Sequence, residues 1–135
     1  MKCVLILDES LPAGVGANTA AALGLSLGSH VPGLVGPDPA DASGTLHRGV
    51  TAIPLPILTT DRERLGSLYR TLLAQPLEGM TLIGFDDVAQ RCLCYDDYVR
   101  RLSMTPPETI AYLGICLYGP KKRVNSLCGQ FRLLR

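Results

Sequence analysis

LILDESLPAGVGANTAAA, residues Leu5–Ala22, carries the chain from an apolar run through a loop into an Ala-rich stretch, and its reading decides the fold. The run begins slightly earlier, as KCVLIL over Lys2–Leu7. A short segment of that kind suits a strand buried on both faces. Asp8–Ala13 follows as a loop containing Pro12. Gly14–Leu27 is dense in Ala, Leu and Gly, which predicts a helix with small residues on its packing face, at some propensity cost for Gly24.

The rest of the chain repeats the alternation. Ser29–Gly49 is rich in Gly, Pro and Asp; it predicts short extended pieces near Leu34–Val35 and Thr45–His47 joined by a turn over Pro37–Gly44. GVTAIPLPIL (Gly49–Leu58) has β-branched content, but Pro54 and Pro56 donate to no ladder, so the strand is expected at a sheet edge. Thr60 or Asp61 caps a helix carrying Leu65, Leu68, Tyr69, Leu72 and Leu73 on one face, ended by Pro76. MTLIGF (Met80–Phe85) is a strand, Tyr95–Ser103 an amphipathic helix, and TIAYLGICL (Thr109–Leu117) another buried strand. Pro120 opens a last helix to about Leu127, and Gln130–Leu134 is a final short strand. This order predicts an α/β fold: one domain over residues 1–135, a three-layer α/β/α sandwich with a mixed, mostly parallel central sheet of four or five strands.

Composition narrows the function classes. With 47% hydrophobic and 19% charged residues, the chain can bury a core and is not of disordered type. A net charge of +1 gives no global attraction to nucleic acid or membrane, and the absence of Trp removes the largest stacking platform. No run reaches the roughly 18 apolar residues of a membrane span. Five cysteines without an export signal point to a reduced, cytoplasmic setting. Cys92, Cys94, Cys128, His30 and His47 have no zinc spacing, so neither metal nor cofactor is expected.

In open α/β sheets, sites form beyond the carboxyl ends of strands. Three segments are expected to converge there: Leu11–Asn18, Asp86–Asp87 and Leu117–Pro120. Gly14, Val15 and Gly16 before a helix either bring backbone amides to an anion or make a tight turn. Asp86 and Asp87 either position water or cap a helix. Asn18 and Thr19 offer an amide and a hydroxyl to the same cleft, or are first-turn surface residues. Lys121, Lys122 and Arg123 either contact RNA phosphates or form a solvated helix face.

These segments resemble the type 2 peptidyl-tRNA hydrolases. Leu11, Gly14 and Gly16 match the family's Leu-x-x-Gly-x-Gly loop, followed by an Ala-rich helix. Leu113–Ile115, Gly119–Pro120, Val124–Asn125 and Leu127–Gly129 match its ending, and Thr81–Gln90 resembles the strand before its catalytic Asp. The whole chain resembles most closely a bacterial domain-of-unknown-function family (number 2000) in that superfamily. The resemblance implies a homodimer and a site for an acyl or peptidyl ester such as peptidyl-tRNA. Asp86 or Asp87 and Asn18 would be catalytic, with Gly14, Val15, Gly16, Thr19, Gly119 and Asn125 around the ligand. The family's loop lysine is replaced, because Val15 and Ala17 occupy its places; its C-terminal Asp and Thr are Asn125 and Cys128. The alternative is a non-catalytic module for a small ligand or RNA on the same scaffold. The apolar, Pro-rich edge around Ile53–Leu58 is the expected dimer surface.

Overall fold

The structure is a computed structural model describing residues 1–135. Strand β1 (Lys2–Asp8) is buried almost throughout because it has a neighbour on each side and helices on each face. β2 (Ile57–Thr60) pairs with it in parallel and β4 (Tyr112–Gly119) antiparallel. β3 (Thr81–Asp86) adds outside β4 and β5 (Arg132–Leu133) outside β2, giving the five-stranded order β3-β4-β1-β2-β5.

The sheet is mixed, but it is not mostly parallel. Only β1–β2 is a parallel pair; β1–β4, β3–β4 and β2–β5 are antiparallel. Parallel neighbours need a crossover, which helix α1 (Ala13–His30) provides between β1 and β2. After β3 the chain makes helices α3 (Asp87–Arg91) and α4 (Tyr95–Ser103), then returns to the edge it has just left. Asp87 N donates to Ala111 O at 2.9 Å, and Asp86 stands opposite Tyr112. A chain that re-enters where it left must run back antiparallel.

The prolines are also placed differently from the expectation. β2 starts at Ile57, after Pro54 and Pro56, and lies between β1 and β5. Pro56 contributes only its acceptor, taking Leu5 N at 3.0 Å. The prolines therefore mark where pairing begins and do not make an edge. Ile53, Leu55 and Ile57 are half-buried and pack against the core formed with α1.

The two faces of β1 feed two cores, as its period of two demands. Cys3, Leu5 and Leu7 join Leu23 and Leu27 of α1, with Cys116 of β4. Val4 and Ile6 join Leu65 and Leu72 of α2 (Arg62–Leu73), Ile115 and Leu117 of β4, and Val124 of α5 (Lys121–Cys128). Asp61 caps α2, its carboxylate accepting from Arg64 N at 2.8 Å. Residues 31–56 form no named strand or helix; they make the isolated bridges Val35–Thr51 and Ala40–Leu46 and place Leu34 in the α1 core.

The close approach of α1 to the sheet depends on a strand glycine. A Cβ at Gly114 of β4 would lie 2.7 Å from both Leu7 Cδ2 and Thr19 Cγ2. At Gly24, inside α1, a Cβ would meet nothing within 4 Å. Gly114→Ala is therefore expected to cost about 1–3 kcal/mol by overpacking. Gly24→Ala should add about 0.5–1 kcal/mol through helix propensity. Urea denaturation of both variants checks the opposite signs.

Candidate functional site

β1 and β2 run in parallel, and β1 and β3 are both antiparallel to β4, so β1, β2 and β3 all end at one edge of the sheet. Asp8, Thr60 and Asp86 terminate there, and α1, α2 and α3 begin there. All three residues are buried.

Asp86 caps α3, with Oδ1 accepting from Ala89 N at 2.8 Å. Its Oδ2 accepts from the Tyr98 hydroxyl at 3.2 Å. Burial raises the pKa of the Tyr98 phenol, and the Asp86 charge adds to the rise. Tyr69 is raised for the same two reasons. Its ring lies 4.1 Å from that of Tyr112, centroid to centroid. Tyr112 is also raised, by burial first and then by Tyr69 and Asp86. Asp87 is held more loosely. Its Oδ1 accepts from Ala111 N at 3.1 Å and its Oδ2 lies 3.7 Å from Arg91 Nη1.

Asn18 reaches this corner from α1 and donates through Nδ2 to Gln90 Oε1 at 3.2 Å. Gly14, Val15 and Gly16 form the first turn of α1, where Gly16 N already donates to Pro12 O at 2.9 Å. That turn has no side-chain cap and no acidic residue. Thr19 is not available to a ligand: it is fully buried and its hydroxyl donates to Val15 O at 2.8 Å.

The reversed direction of β4 separates the remaining candidates from this edge. Gly119 pairs with Lys2, at the start of β1, so the Leu117–Pro120 turn lies at the opposite end of the sheet. Gly119 is a packing position, since a Cβ there would come within 2.7 Å of Met80 Cγ. Asn125 accepts from Lys2 Nζ at 2.6 Å. Lys121, Lys122 and Arg123 start α5 beyond that same turn. Arg123 donates to the Glu78 and Pro76 carbonyls, both at 3.3 Å.

Two cavities flank α1 near the carboxyl ends of the strands. One, of about 380 Å³, lies between α1, β3 and the α3–α4 segment; Ala22, Leu23, Ile83, Phe85, Cys92 and Tyr98 are among its walls. The other, of about 450 Å³, lies beside the first turn of α1 and reaches Asp8, Thr59 and Arg135. No three His, Cys, Asp or Glu side chains cluster to hold a metal ion.

Asp8 and Arg62 are not among the site residues expected from the sequence, and Tyr98 reads there as a partial core residue. Arg62 Nε donates to Asp8 Oδ2 at 2.6 Å, and Ser10 donates to Oδ1 through both its amide (2.9 Å) and its hydroxyl (2.7 Å). The available signal was Asp-x-Ser directly after a buried strand, a pattern that folds into an Asx turn. Tyr98 sits on the 3, 4, 7 stripe of α4, where it reads as an ordinary apolar position.

The profile of the family described as protein of unknown function (DUF2000) matches residues 1–135. The chain belongs to this family. Among solved structures, the chain is similar to the protein of unknown function Atu0240 from Agrobacterium tumefaciens strain C58, with a TM-score of 0.87. The two are 19% identical over 99% of this chain and 97% of that one, a likeness that concerns the fold. No curated protein matches the chain.

Burial pushes the Asp8 pKa up, but the hydrogen bonds from Ser10 and Arg62 outweigh it and hold the carboxyl below its ordinary value. A depressed carboxylate stabilises the fold above its unfolded pKa of about 3.9, and that contribution is lost as pH falls through the folded value. Arg62→Met is expected to cost about 1–3 kcal/mol at neutral pH. Urea midpoints of variant and wild type, measured at falling pH, should converge once Asp8 is protonated.

Proposed function

We propose that this chain is a non-catalytic module binding a small, largely apolar ligand in the cavity between α1, β3 and the α3–α4 segment. One observation carries the reading: both carboxylate oxygens of the buried Asp86 accept hydrogen bonds from the protein, beside a cavity walled mainly by apolar side chains. A general base must be within reach of the proton it takes and poised to accept it. Here Asp86 is spent on a helix cap and a tyrosine hydroxyl. The Cys92 thiol in the same wall is raised by burial and then by the Asp97 carboxylate, which leaves it a poor nucleophile. The cavity volume of about 380 Å³ is within the range of small-molecule clefts.

Membership of the type 2 peptidyl-tRNA hydrolase-like superfamily, as one cytoplasmic three-layer domain, is supported by the strand–loop–helix opening at Leu5–Ala22 and by helices on both sheet faces. The five cysteines are all unpaired, and no helix is long and apolar enough to cross a membrane. A hydrolase acting on an acyl or peptidyl ester keeps one observation in its favour. The Asn18 and Gln90 amides meet beside α3, at the edge where the first turn of α1 lies uncapped. The basic Lys121–Arg123 stretch is at the opposite end of the sheet, which weighs against one RNA touching both.

N-Phenyl-1-naphthylamine, a neutral fluorescent probe, is expected to saturate the wild type with a Kd of order 10 μM. Ala22→Trp, which fills the cavity, should weaken that binding at least tenfold. Unchanged affinity would move the ligand site elsewhere. In parallel, the wild type should release no N-acetylated amino acid from N-acetyl-aminoacyl-tRNA above background. Turnover that Asn18→Ala abolishes would replace the binding reading with the hydrolase one.

A further inference from the structure

Cys3 of β1 and Cys116 of β4 bring their sulfurs to 3.7 Å from each other inside the α1 core. Both residues are buried. A buried cysteine by itself serves as a small hydrophobe. Two thiols in contact, both cut off from water, also present two soft donor atoms to one point. The Cys116 S–H donates to Cys3, which holds the Cys3 thiol below its ordinary pKa and raises that of Cys116, with burial adding to the rise. The pair therefore yields one proton readily and the second only to a group that replaces it.

Strand register selects that group. Cys3 stands opposite Tyr118 and Cys116 opposite Leu5, so the two cysteines are diagonal neighbours. Diagonal Cα atoms lie about 7–8 Å apart, at or beyond the roughly 7 Å limit for closing a disulfide without moving the backbone. An ion between the sulfurs needs no such approach. Two metal–thiolate bonds of about 2.3 Å span up to about 4.6 Å, so the pair has to open by less than about 1 Å from its 3.7 Å. No third His, Cys, Asp or Glu joins it. Structural zinc takes four ligands, and calcium and magnesium take oxygen. Two thiolates alone select a soft monovalent ion of low coordination number, copper(I).

A cavity of about 330 Å³ at the start of β1 has Met1, Lys2, Cys3, Ile53 and Lys121 among its walls. It gives an ion a way in, because Cys3 is the second residue of its strand, where pairing opens most easily. It also brings counter-charge: a copper(I) bis-thiolate carries one net negative charge, and Lys2 and Lys121 stand in the same wall.

We propose that Cys3 and Cys116 form a two-coordinate copper(I) site on the α1 face of the sheet. Copper(I) and two thiols give the bis-thiolate and two protons, with no change of oxidation state. The site lies at the end of the sheet opposite Asp86 and is independent of the ligand cavity there.

Cys92 and Cys94 lie outside both cores, so the test uses the full chain carrying Cys92→Ser and Cys94→Ser, which leaves Cys128 as a single thiol on the other face. Titrated without oxygen with copper(I) against the chelator bathocuproine disulfonate, this protein is expected to hold one ion per chain, with two sulfur neighbours by X-ray absorption. Cys3→Ala and Cys116→Ala, each added to that background and each with an unchanged circular dichroism spectrum, should weaken retention by at least about a hundredfold. Zinc(II) should not displace the ion. A background protein that holds no copper(I), retention that survives both alanine variants, or displacement by zinc(II) overturns the proposal. If an alanine variant does not fold, the X-ray absorption spectrum decides, and a shell other than two sulfurs overturns the site.

Discussion

The pairing of β1 on both sides is the constraint on which the rest of the structure depends. A strand with two neighbours and two covered faces has no solvent-facing side chain, so Cys3–Leu7 must all be apolar. Their alternation then splits the interior into the α1 core and the α2–α5 core. Asp8 ends the run because a carboxylate cannot be buried without partners. Its partners are Ser10, which turns the chain toward α1, and Arg62, the first residue of α2. One ion pair thereby fixes where β1 stops and where the helix following β2 starts.

Much of this was legible because it is local. The Tyr95–Ser103 helix, the Asp61 cap and the strand expected over Met80–Phe85 and found over Thr81–Asp86 each announce themselves within about a dozen residues. Strand direction does not. An apolar run such as TIAYLGICL looks the same whichever way it enters the sheet, and only the tie between Asp87 and Ala111, across two helices, shows that β4 is reversed. The prolines at 54 and 56 misled for a related reason. A missing donor reports that one hydrogen bond is absent, and it does not say whether the strand lies outside the sheet or has yet to begin. The small residues of α1 pointed correctly to close packing, but the position that cannot accept a Cβ is Gly114, on the partner strand.

The site was legible only in part, and the same reversal explains the loss. Asn18 and the helix after Asp86 meet across 72 residues of sequence, because β1 and β3 end at the same edge. The Leu117–Pro120 turn is expected at that edge if β4 runs parallel to β1, and the antiparallel strand carries it, with Asn125 and Lys121–Arg123 beyond it, to the other end. By sequence Thr19 is either a polar group facing a cleft or an exposed first-turn residue, and it is neither. A threonine inside a helix can also bond back to the preceding turn and bury its methyl, which is what it does beneath Gly114. The pairing of Asp86 with Tyr98 had no sequence signal, since the tyrosine belongs equally well to an apolar stripe.

The register between β1 and β4 also governs how the protein is made. Lys2 pairs with Gly119 and Leu7 with Gly114, so the innermost strand waits for a partner more than a hundred residues further along the chain. Contacts so distant in sequence slow folding, because the loop must close before the contact contributes. During translation, β1 and α1 leave the ribosome with one flank of the strand unfilled. α2, β3 and α4 must all follow before that flank can close. Over that interval the apolar Cys3–Leu7 segment is a free strand edge of the kind that chaperones shield.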